Sequence, residues 1–207
     1  MRRLRDHNCN SPEYYEKIWA EEYHNNNNHR YDHARLLDLL KYVKPGDRVI
    51  DLGAGLFGAC QYAVHHLKDH YPNTTFVALD YSHTAKEIAQ RDFPDLTYLL
   101  GDVTNTGLPG DHFDVVISGE VIEHLEEPLA LVKEMARICQ PGGHMMLSTL
   151  DPETEDAKKH GEYPEHVWEF EVMDLVDMFK SYGLTEYWKT GNYHMISCQN
   201  GVTHEKD

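Results

Sequence analysis

The 207-residue sequence contains no long apolar run and no closely spaced pair of cysteines. No segment approaches the roughly 20 apolar residues of a membrane-spanning helix. The basic amino terminus has no apolar run behind it, so neither a membrane span nor a signal peptide is expected. The four cysteines stand far apart, without a Cys-x-x-Cys motif. This usage is typical of reduced thiols and predicts a cytoplasmic protein with no membrane contact.

Basic residues are also scarce. The chain has 19 Lys and Arg against 35 Asp and Glu, which gives a net charge of −16. Because nucleic-acid-binding proteins neutralise phosphates with Lys and Arg, this charge argues against a nucleic-acid partner, although it leaves a local basic patch open. Hydrophobic residues make up 41% of the chain, enough for a core. The length suits one domain with at most a small cap.

What the sequence does contain is a glycine-rich turn, VIDLGAGLFG at residues 49–58. A short apolar run ends there, and the next segment, residues 59–67, has helical character. Glycine lets the backbone turn sharply and lets a ligand approach, while the following helix offers free N–H groups. The spacing Gly53-x-Gly55-x-x-Gly58 therefore predicts a nucleotide-binding turn. It also matches the dinucleotide fingerprint, so two cofactor classes stay open.

Further apolar segments predict strands that alternate with helices. They are residues 76–80, 96–100, 113–118 and 144–150. The first ends in Asp80, 22 residues beyond Gly58. A carboxylate in this place can accept two hydrogen bonds from a ribose diol.

The carboxyl-terminal part predicts a loop, a helix and a hairpin. Residues 151–164 are polar and predict either a substrate loop or an inert surface loop. Residues 167–182 predict a last helix ended by Gly183. Two strand-like runs, residues 184–189 and 193–198, predict a closing β-hairpin.

Taken in order, these segments resemble the class I S-adenosylmethionine-dependent methyltransferases over residues 32–198. The resemblance implies an α/β, Rossmann-like, doubly wound fold with a seven-stranded, mostly parallel sheet and an antiparallel last strand. The closing hairpin is what such a sheet requires, whereas a dehydrogenase half has none. The chain departs from the family glycine pattern at Phe57, where family members usually carry glycine.

The resemblance also implies how S-adenosylmethionine is held. Asp80 binds the ribose, Tyr81 packs on the adenine, Asp102 accepts from the adenine amino group, and the backbone of Val103 donates to the ring. Simple capping of strand ends is the alternative for these residues. The implied cofactor-binding set is Asp51, Gly53, Ala54, Gly55, Asp80, Tyr81, Asp102, Val103, Ser118 and Glu120.

The segment GEVIEHL, residues 119–125, is the most informative for chemistry. If it forms a helical turn, Glu120, Glu123 and His124 share a face beside the cofactor methyl group. His124 is the candidate base, because its side chain titrates nearest neutral pH. With His166 as a fourth ligand, the same residues suit Mg²⁺ or Mn²⁺. A metal-free site is the interpretation that the sequence favours, because short motifs of this kind often match proteins without the metal.

This Glu-x-x-Glu-His pattern with a downstream His resembles the metal site of plant small-RNA 3′-terminal 2′-O-methyltransferases, and also quinone-biosynthesis O-methyltransferases. We expect an enzyme that methylates a small molecule on oxygen, nitrogen or carbon. Two alternatives stay open: a metal-dependent RNA 3′-terminal 2′-O-methyltransferase and a non-catalytic cofactor-binding protein. The oligomeric state stays open as well.

Two regions are expected along the chain. Residues 1–31 predict an amino-terminal helix, residues 11–23, followed by an asparagine linker at residues 25–28. This helix is either a lid over the substrate site or plain packing against the domain. Residues 32–207 are expected to form the methyltransferase domain.

Overall fold

A seven-stranded sheet forms the centre of the protein, and helices cover both of its faces. Residues 1–6, 9–25, 32–155, 158 and 165–202 are described by the computed structural model, without the side chains of residues 22–25. Residues 26–28 of the predicted linker, and residues 156, 157 and 159–164 of the predicted loop, lie outside this part. No described helix has the length and apolar character needed to cross a membrane.

The strands are β1 (Arg2–Arg3), β2 (Arg48–Leu52), β3 (Thr75–Asp80), β4 (Thr97–Leu100), β5 (Phe113–Gly119), β6 (Cys139–Leu150), β7 (Trp168–Glu169), β8 (Gly183–Thr190) and β9 (Tyr193–Asn200). The helices are α1 (Pro12–Asn25), α2 (His33–Leu39), α3 (Ala59–His66), α4 (His83–Asp92), α5 (Pro128–Ile138) and α6 (Val172–Phe179). Short 3₁₀ turns lie at Lys68–His70 and Ile122–His124.

The strand order of the main sheet is β4-β3-β2-β5-β6-β9-β8. Strands β2 to β6 pair in parallel, and β9 runs antiparallel to both of its neighbours. The predicted Rossmann-like fold with an antiparallel last strand is thus confirmed. The chain order reverses between β2 and β5, and in doubly wound sheets ligands bind at the carboxyl ends of the strands beside such a reversal.

The strands are buried on both faces, as parallel strands between helical layers usually are. In β2, Ile50 packs into one apolar cluster and Val49 into the other, and in β5 the neighbours Val116 and Val115 divide in the same way. This alternation fixes the register of the strands, and it therefore fixes which loops meet at the carboxyl edge.

Helix starts agree with their local sequence. The Asp32 side chain accepts from the backbone N–H of Arg35 and caps α2, and Ser82 caps α4 in the same way. The leucines of α2 differ in their burial. Leu36 and Leu40 are buried, but Leu37 is 46% exposed, because it lies about 100° round the helix from Leu36.

Two local predictions were wrong. Residues 167–182 do not form one helix: β7 pairs with β1, and α6 begins only at Val172, after a capping box between Glu171 and Asp174. A two-residue strand carries no periodic signal, so the sequence could not show it. The strand predicted at residues 144–150 begins earlier, at Cys139, and pairs irregularly with β5 at its start.

Candidate functional site

A cavity of about 720 Å³ opens at the carboxyl ends of β2 and β5. The glycine turn after β2 forms its floor, and the segment after β5 forms one wall. Helix α1 forms its roof, with Tyr14, Tyr15, Ile18 and Trp19 among the lining residues. The cavity therefore lies at the position that the strand order predicts for a ligand.

The glycine turn requires glycine at two of its positions. Gly53 has a φ of +75°, and a Cβ there would lie 2.4 Å from Val121 Cγ2. Gly55 has a φ of +49°, and its Cβ would lie 2.5 Å from the Trp19 ring. Any other residue would be strained at these angles and would collide with the cavity wall. The turn thus holds its backbone directly against the cavity.

Asp80 connects this turn to the next strand. Its carboxylate is buried and accepts from the N–H of Gly55 at 3.0 Å and of Ser82 at 3.0 Å. Burial raises the pKa of Asp80, and these backbone hydrogen bonds oppose the rise. Each carboxylate oxygen has a second lone pair, so the side chain can still accept from a ligand in the cavity.

The remaining cofactor candidates divide into those that line the cavity and one that does not. The cavity is lined by Asp51, Gly53, Ala54, Gly55, Asp80, Tyr81, Asp102, Val103 and Glu120. Asp51 accepts from the N–H of Cys60 at 3.3 Å, and burial raises its pKa to about 6. One Asp102 oxygen accepts from Thr104 N and Oγ1, at 2.8 and 2.7 Å.

Ser118 is the exception, and its place corrects the expectation. Its side chain is only 1% exposed, and its hydroxyl donates to the Leu52 carbonyl at 3.0 Å. It lies inside the sheet, where β5 pairs with β2. The structure thus offers Ser118 no side-chain role in holding a cofactor.

Glu120 and Glu123 do not lie on one helical face. Glu120 has a φ of +59°, and only Ile122–His124 forms a 3₁₀ turn. The Glu120 carboxylate faces Ser148, whose hydroxyl donates to it at 3.3 Å. Glu120 still lies close enough to Glu123 that each carboxylate affects the pKa of the other.

Glu123, His124 and His166 form a cluster whose potential ligand atoms all lie within 4.8 Å of one another. The two imidazole rings are 4.9 Å apart between centroids. Glu123 is 3% exposed, and neither of its oxygens makes a hydrogen bond of normal geometry. Burial raises the pKa of Glu120 and of Glu123, and the nearby Thr149 side chain opposes the rise at Glu123 only in part.

The hydrogen bond of His124 fixes its tautomer. Nδ1 lies 3.0 Å from the Glu165 carbonyl, and a carbonyl can only accept, so Nδ1 carries the proton. The lone pair of the neutral ring is then on Nε2. Burial lowers the pKa of His124, which favours this neutral form. The residue can therefore take up a proton or bind a metal ion through Nε2.

Helix α1 contacts both ends of the cavity. The Glu16 carboxylate accepts from the N–H groups of His83 and Thr84, at 2.5 and 2.8 Å, at the start of α4. Tyr15 lies 5.6 Å from Tyr81 and 6.2 Å from His124 between ring centroids. The helix thus joins the end of the cavity beside Asp80 to the end beside the histidines.

Sequence reasoning missed Arg35, which lines the same cavity from α2. Its Nη1 donates to Ser148 Oγ at 3.2 Å, and its guanidinium lies 5.1 Å from the centre of the Tyr193 ring. Its Nε is buried without a hydrogen-bond partner. A single arginine within a leucine stripe belongs to no motif, so only the fold reveals this donor.

Comparisons with known proteins agree with this arrangement. Residues 50–147 match the family described as the methyltransferase domain. The biotin biosynthesis bifunctional protein BioHC of Teredinibacter turnerae is 33% identical over 120 residues, which are 53% of this chain and 20% of that protein. Demethylmenaquinone methyltransferase of Renibacterium salmoninarum is 30% identical over 111 residues, 53% of this chain and 44% of that protein. The chain spans less than half the length of these two relatives.

The fold is also similar to that of a solved chain in the complex between the Haloferax volcanii Trm112 methyltransferase activator and a methyltransferase. The TM-score is 0.72 at 19% identity, and the match covers 91% of this chain and 98% of that chain. At this level of identity the likeness concerns the fold.

Proposed function

Because residues 50–147 match the methyltransferase domain family, we propose that the chain is a class I S-adenosylmethionine-dependent methyltransferase that transfers a methyl group from S-adenosylmethionine to a small-molecule acceptor. One observation carries this proposal. The glycine turn, the strand-end carboxylate of Asp80 and the Glu123–His124 pair line the same cavity. The relative named demethylmenaquinone methyltransferase supports an acceptor of small size.

Different residues along the cavity bind different parts of the cofactor. Asp80, Tyr81 and Asp102 hold the ribose and adenine, while the glycine turn and Asp51 lie against the rest of the cofactor. S-adenosylmethionine supplies an electrophilic methyl group on a sulfonium. The protein aligns the acceptor atom with that methyl, and such orientation can contribute about 7–11 kcal/mol. His124 accepts the acceptor proton through Nε2.

Calorimetry on the purified protein tests the cofactor. We expect heat of binding with S-adenosylmethionine and with its demethylated product, and none with NAD. Preferential binding of NAD would overturn the assignment. Transfer of a labelled methyl group to a panel of small hydroxyl, amine and carboxyl compounds then separates an enzyme from a non-catalytic cofactor-binding protein.

The charge of the cavity supports a neutral or cationic acceptor. Among the described residues, its lining includes seven carboxyl groups and one arginine, Arg35. The carboxyl groups are Asp51, Asp80, Asp102, Glu120, Glu123, Glu126 and Glu165. A phosphate chain would meet a single arginine here, and it would be repelled by those carboxyl groups that are ionised. This distribution favours a small molecule over RNA.

Helix α1 is proposed as a lid, with residues 32–207 as the methyltransferase domain. Trp19 and Tyr15 lie over the cavity, and Glu16 fastens the helix to the first turn of α4. A ligand the size of the cofactor would have to pass this helix. If the helix closes over the bound cofactor, it excludes water from the methyl group.

A divalent metal ion at the same residues is the alternative to a His124 base, because Nε2 cannot both bind the ion and accept a proton. Glu123, His124 and His166 fit such an ion, because both Glu123 oxygens are buried beside two imidazoles and neither makes a hydrogen bond of normal geometry. These three residues would hold the ion, which would lower the pKa of an acceptor hydroxyl as a Lewis acid. The set of four ligands expected from the sequence becomes three, since Glu120 faces Ser148 instead.

Arg35 provides a test of how the amino-acid end of the cofactor is held. Arg35 lines the cavity, and its guanidinium is the arginine side chain available there for the methionine carboxylate. Arg35→Ala should weaken S-adenosylmethionine binding by about ten- to a hundredfold, as expected for a hydrogen bond between charged groups. Binding of 5′-methylthioadenosine, which lacks that carboxylate, should stay unchanged. Calorimetry measures both ligands.

The control for this test is Arg91→Ala, which removes an exposed arginine that pairs with Asp92. It should affect neither ligand. Equal losses for both ligands in Arg35→Ala would show that the arginine supports the cavity wall rather than the carboxylate.

A further inference from the structure

The side-chain amide of Asn10 joins two segments that lie far away in the sequence. Its Nδ2 donates to the His124 carbonyl at 2.8 Å and to the Glu165 carbonyl at 2.7 Å. These carbonyls are 114 and 155 residues further along the chain. Asn10 itself lies two residues before the start of helix α1. One short side chain thus connects the start of the lid, the segment after β5 and the segment before β7.

The orientation of this amide follows from its partners. Both carbonyls can only accept, so the nitrogen must face them. The Tyr15 hydroxyl lies 3.1 Å from Asn10 Oδ1, to which it donates. Both amide protons and the amide oxygen are therefore engaged, and a flipped amide would lose all three bonds. The residue after Asn10 is also held in place, because the Ser11 hydroxyl oxygen accepts from the N–H of Tyr14 at 3.2 Å in the first turn of α1.

The two segments that Asn10 joins carry the two histidines of the cluster. The Glu165 carbonyl accepts from Asn10 and also from His124 Nδ1. The N–H of Val167 donates to the Glu123 carbonyl at 2.9 Å. These bonds set the side chain of His166 against that of His124. Without Asn10, two neighbouring carbonyls would lose the donor that they share.

We propose that Asn10 is a positioning residue that holds His124 and His166 in their functional geometry by binding the backbone carbonyls of His124 and Glu165. This role rests on the proposed methyl transfer, in which His124 acts through Nε2. It also means that docking of α1 completes the histidine pair, since Asn10 and Tyr15 arrive with the helix. The lid and the reactive groups then assemble in one step.

The variants Asn10→Ala and Asn10→Asp test this role. Aspartate keeps the size of the side chain but has no N–H to offer, and its charge repels both carbonyl oxygens. The ring nitrogens of ¹⁵N-labelled histidines are observed by NMR without cofactor, acceptor or metal. We expect the Nδ1-protonated form of His124 in the native protein and a shift toward the Nε2-protonated form, which free histidine prefers, in both variants.

Hydrogen exchange supplies the second measurement. The Val167 amide should exchange at least tenfold faster in both variants, while that of Val116, in the centre of the sheet, should keep its rate. Arg2→Ala is the matched control, because it removes an exposed contact between the same amino-terminal arm and Glu169. It should leave both readings unchanged.

The role is overturned if His124 keeps its tautomer and Val167 keeps its exchange rate within twofold in either folded variant. A loss of Val116 protection would identify a variant that does not fold, and the other variant then decides. None of these readings needs methyl transfer. A native protein that shows the expected histidine signals but binds no S-adenosylmethionine would therefore count against the proposed function and not against Asn10.

Discussion

Replacing Asp80 with alanine should weaken the binding of S-adenosylmethionine by at least tenfold, which corresponds to about 1.4 kcal/mol. Asp80 is expected to accept from the ribose hydroxyls, and hydrogen bonds to a charged group contribute about 1.5–3 kcal/mol each. The same carboxylate also accepts from the N–H of Gly55 and of Ser82. The substitution should thus loosen the glycine turn as well, so tenfold is a lower bound. Calorimetry gives the dissociation constant.

A ligand without the ribose diol separates the two effects. An analogue that lacks the 2′ and 3′ hydroxyls should lose affinity in Asp80→Ala only through the loosened turn, and therefore less than S-adenosylmethionine does. Asp92→Ala, which changes a carboxylate at the end of α4, should change neither affinity. Unaltered binding of S-adenosylmethionine by Asp80→Ala would remove the ribose role.

The parts of the fold that were predictable from sequence are those with a short-range cause. The glycine turn follows from residues 49–58 alone, since its angles require glycine wherever the turn is formed. The buried strands follow from apolar runs bounded by turn residues. Parallel strands present their carboxyl ends at one edge of the sheet. It could therefore also be expected that Asp80 and the segment after β5 line one cavity.

The parts that could not be predicted depend on contacts between distant residues. The Arg35 side chain is positioned by Ser148 and Tyr193, which lie more than 100 residues further along the chain. Asn10 has no motif, and its partners become neighbours only when the chain is folded. The positive φ of Glu120 could not be predicted from the sequence either, because glutamate seldom adopts such an angle. Its N–H binds the Ser148 carbonyl on β6, so tertiary structure overrides the helical pattern there.

The buried acids make the cavity less negatively charged than the composition of the chain would suggest. The chain carries a net charge of −16, yet burial raises the pKa of Glu120 and of Glu123 and so favours their neutral forms. His124 is also held neutral, because burial lowers its pKa. The neutral imidazole has the lone pair that uptake of a proton from an acceptor hydroxyl requires.

A metal ion would change this balance, and its binding is the second large effect that we expect. Mn²⁺ should bind at Glu123, His124 and His166, and more tightly than Mg²⁺, because two of the three ligands are imidazoles. Glu123→Gln and His166→Ala should each weaken Mn²⁺ by at least tenfold. Electron paramagnetic resonance of free Mn²⁺ measures this without an acceptor.

The pH dependence of that affinity has a definite sign. A carboxyl group whose pKa is raised by burial is partly protonated near neutral pH, and Mn²⁺ must displace this proton. The affinity should therefore rise as the pH increases through the raised pKa of Glu123 and then level off. In Glu123→Gln the competing proton is absent, so the rise should flatten.

Glu120→Gln is the control that distinguishes three ligands from four. The Glu120 carboxylate faces Ser148 and stands outside the cluster of Glu123, His124 and His166, so Mn²⁺ affinity should change less than threefold. A loss as large as that of Glu123→Gln would restore the four-ligand set. If the native protein binds no Mn²⁺ and methylates its acceptor fully in excess EDTA, the metal is excluded. His124 then acts as a base alone, and the RNA alternative loses its specific support.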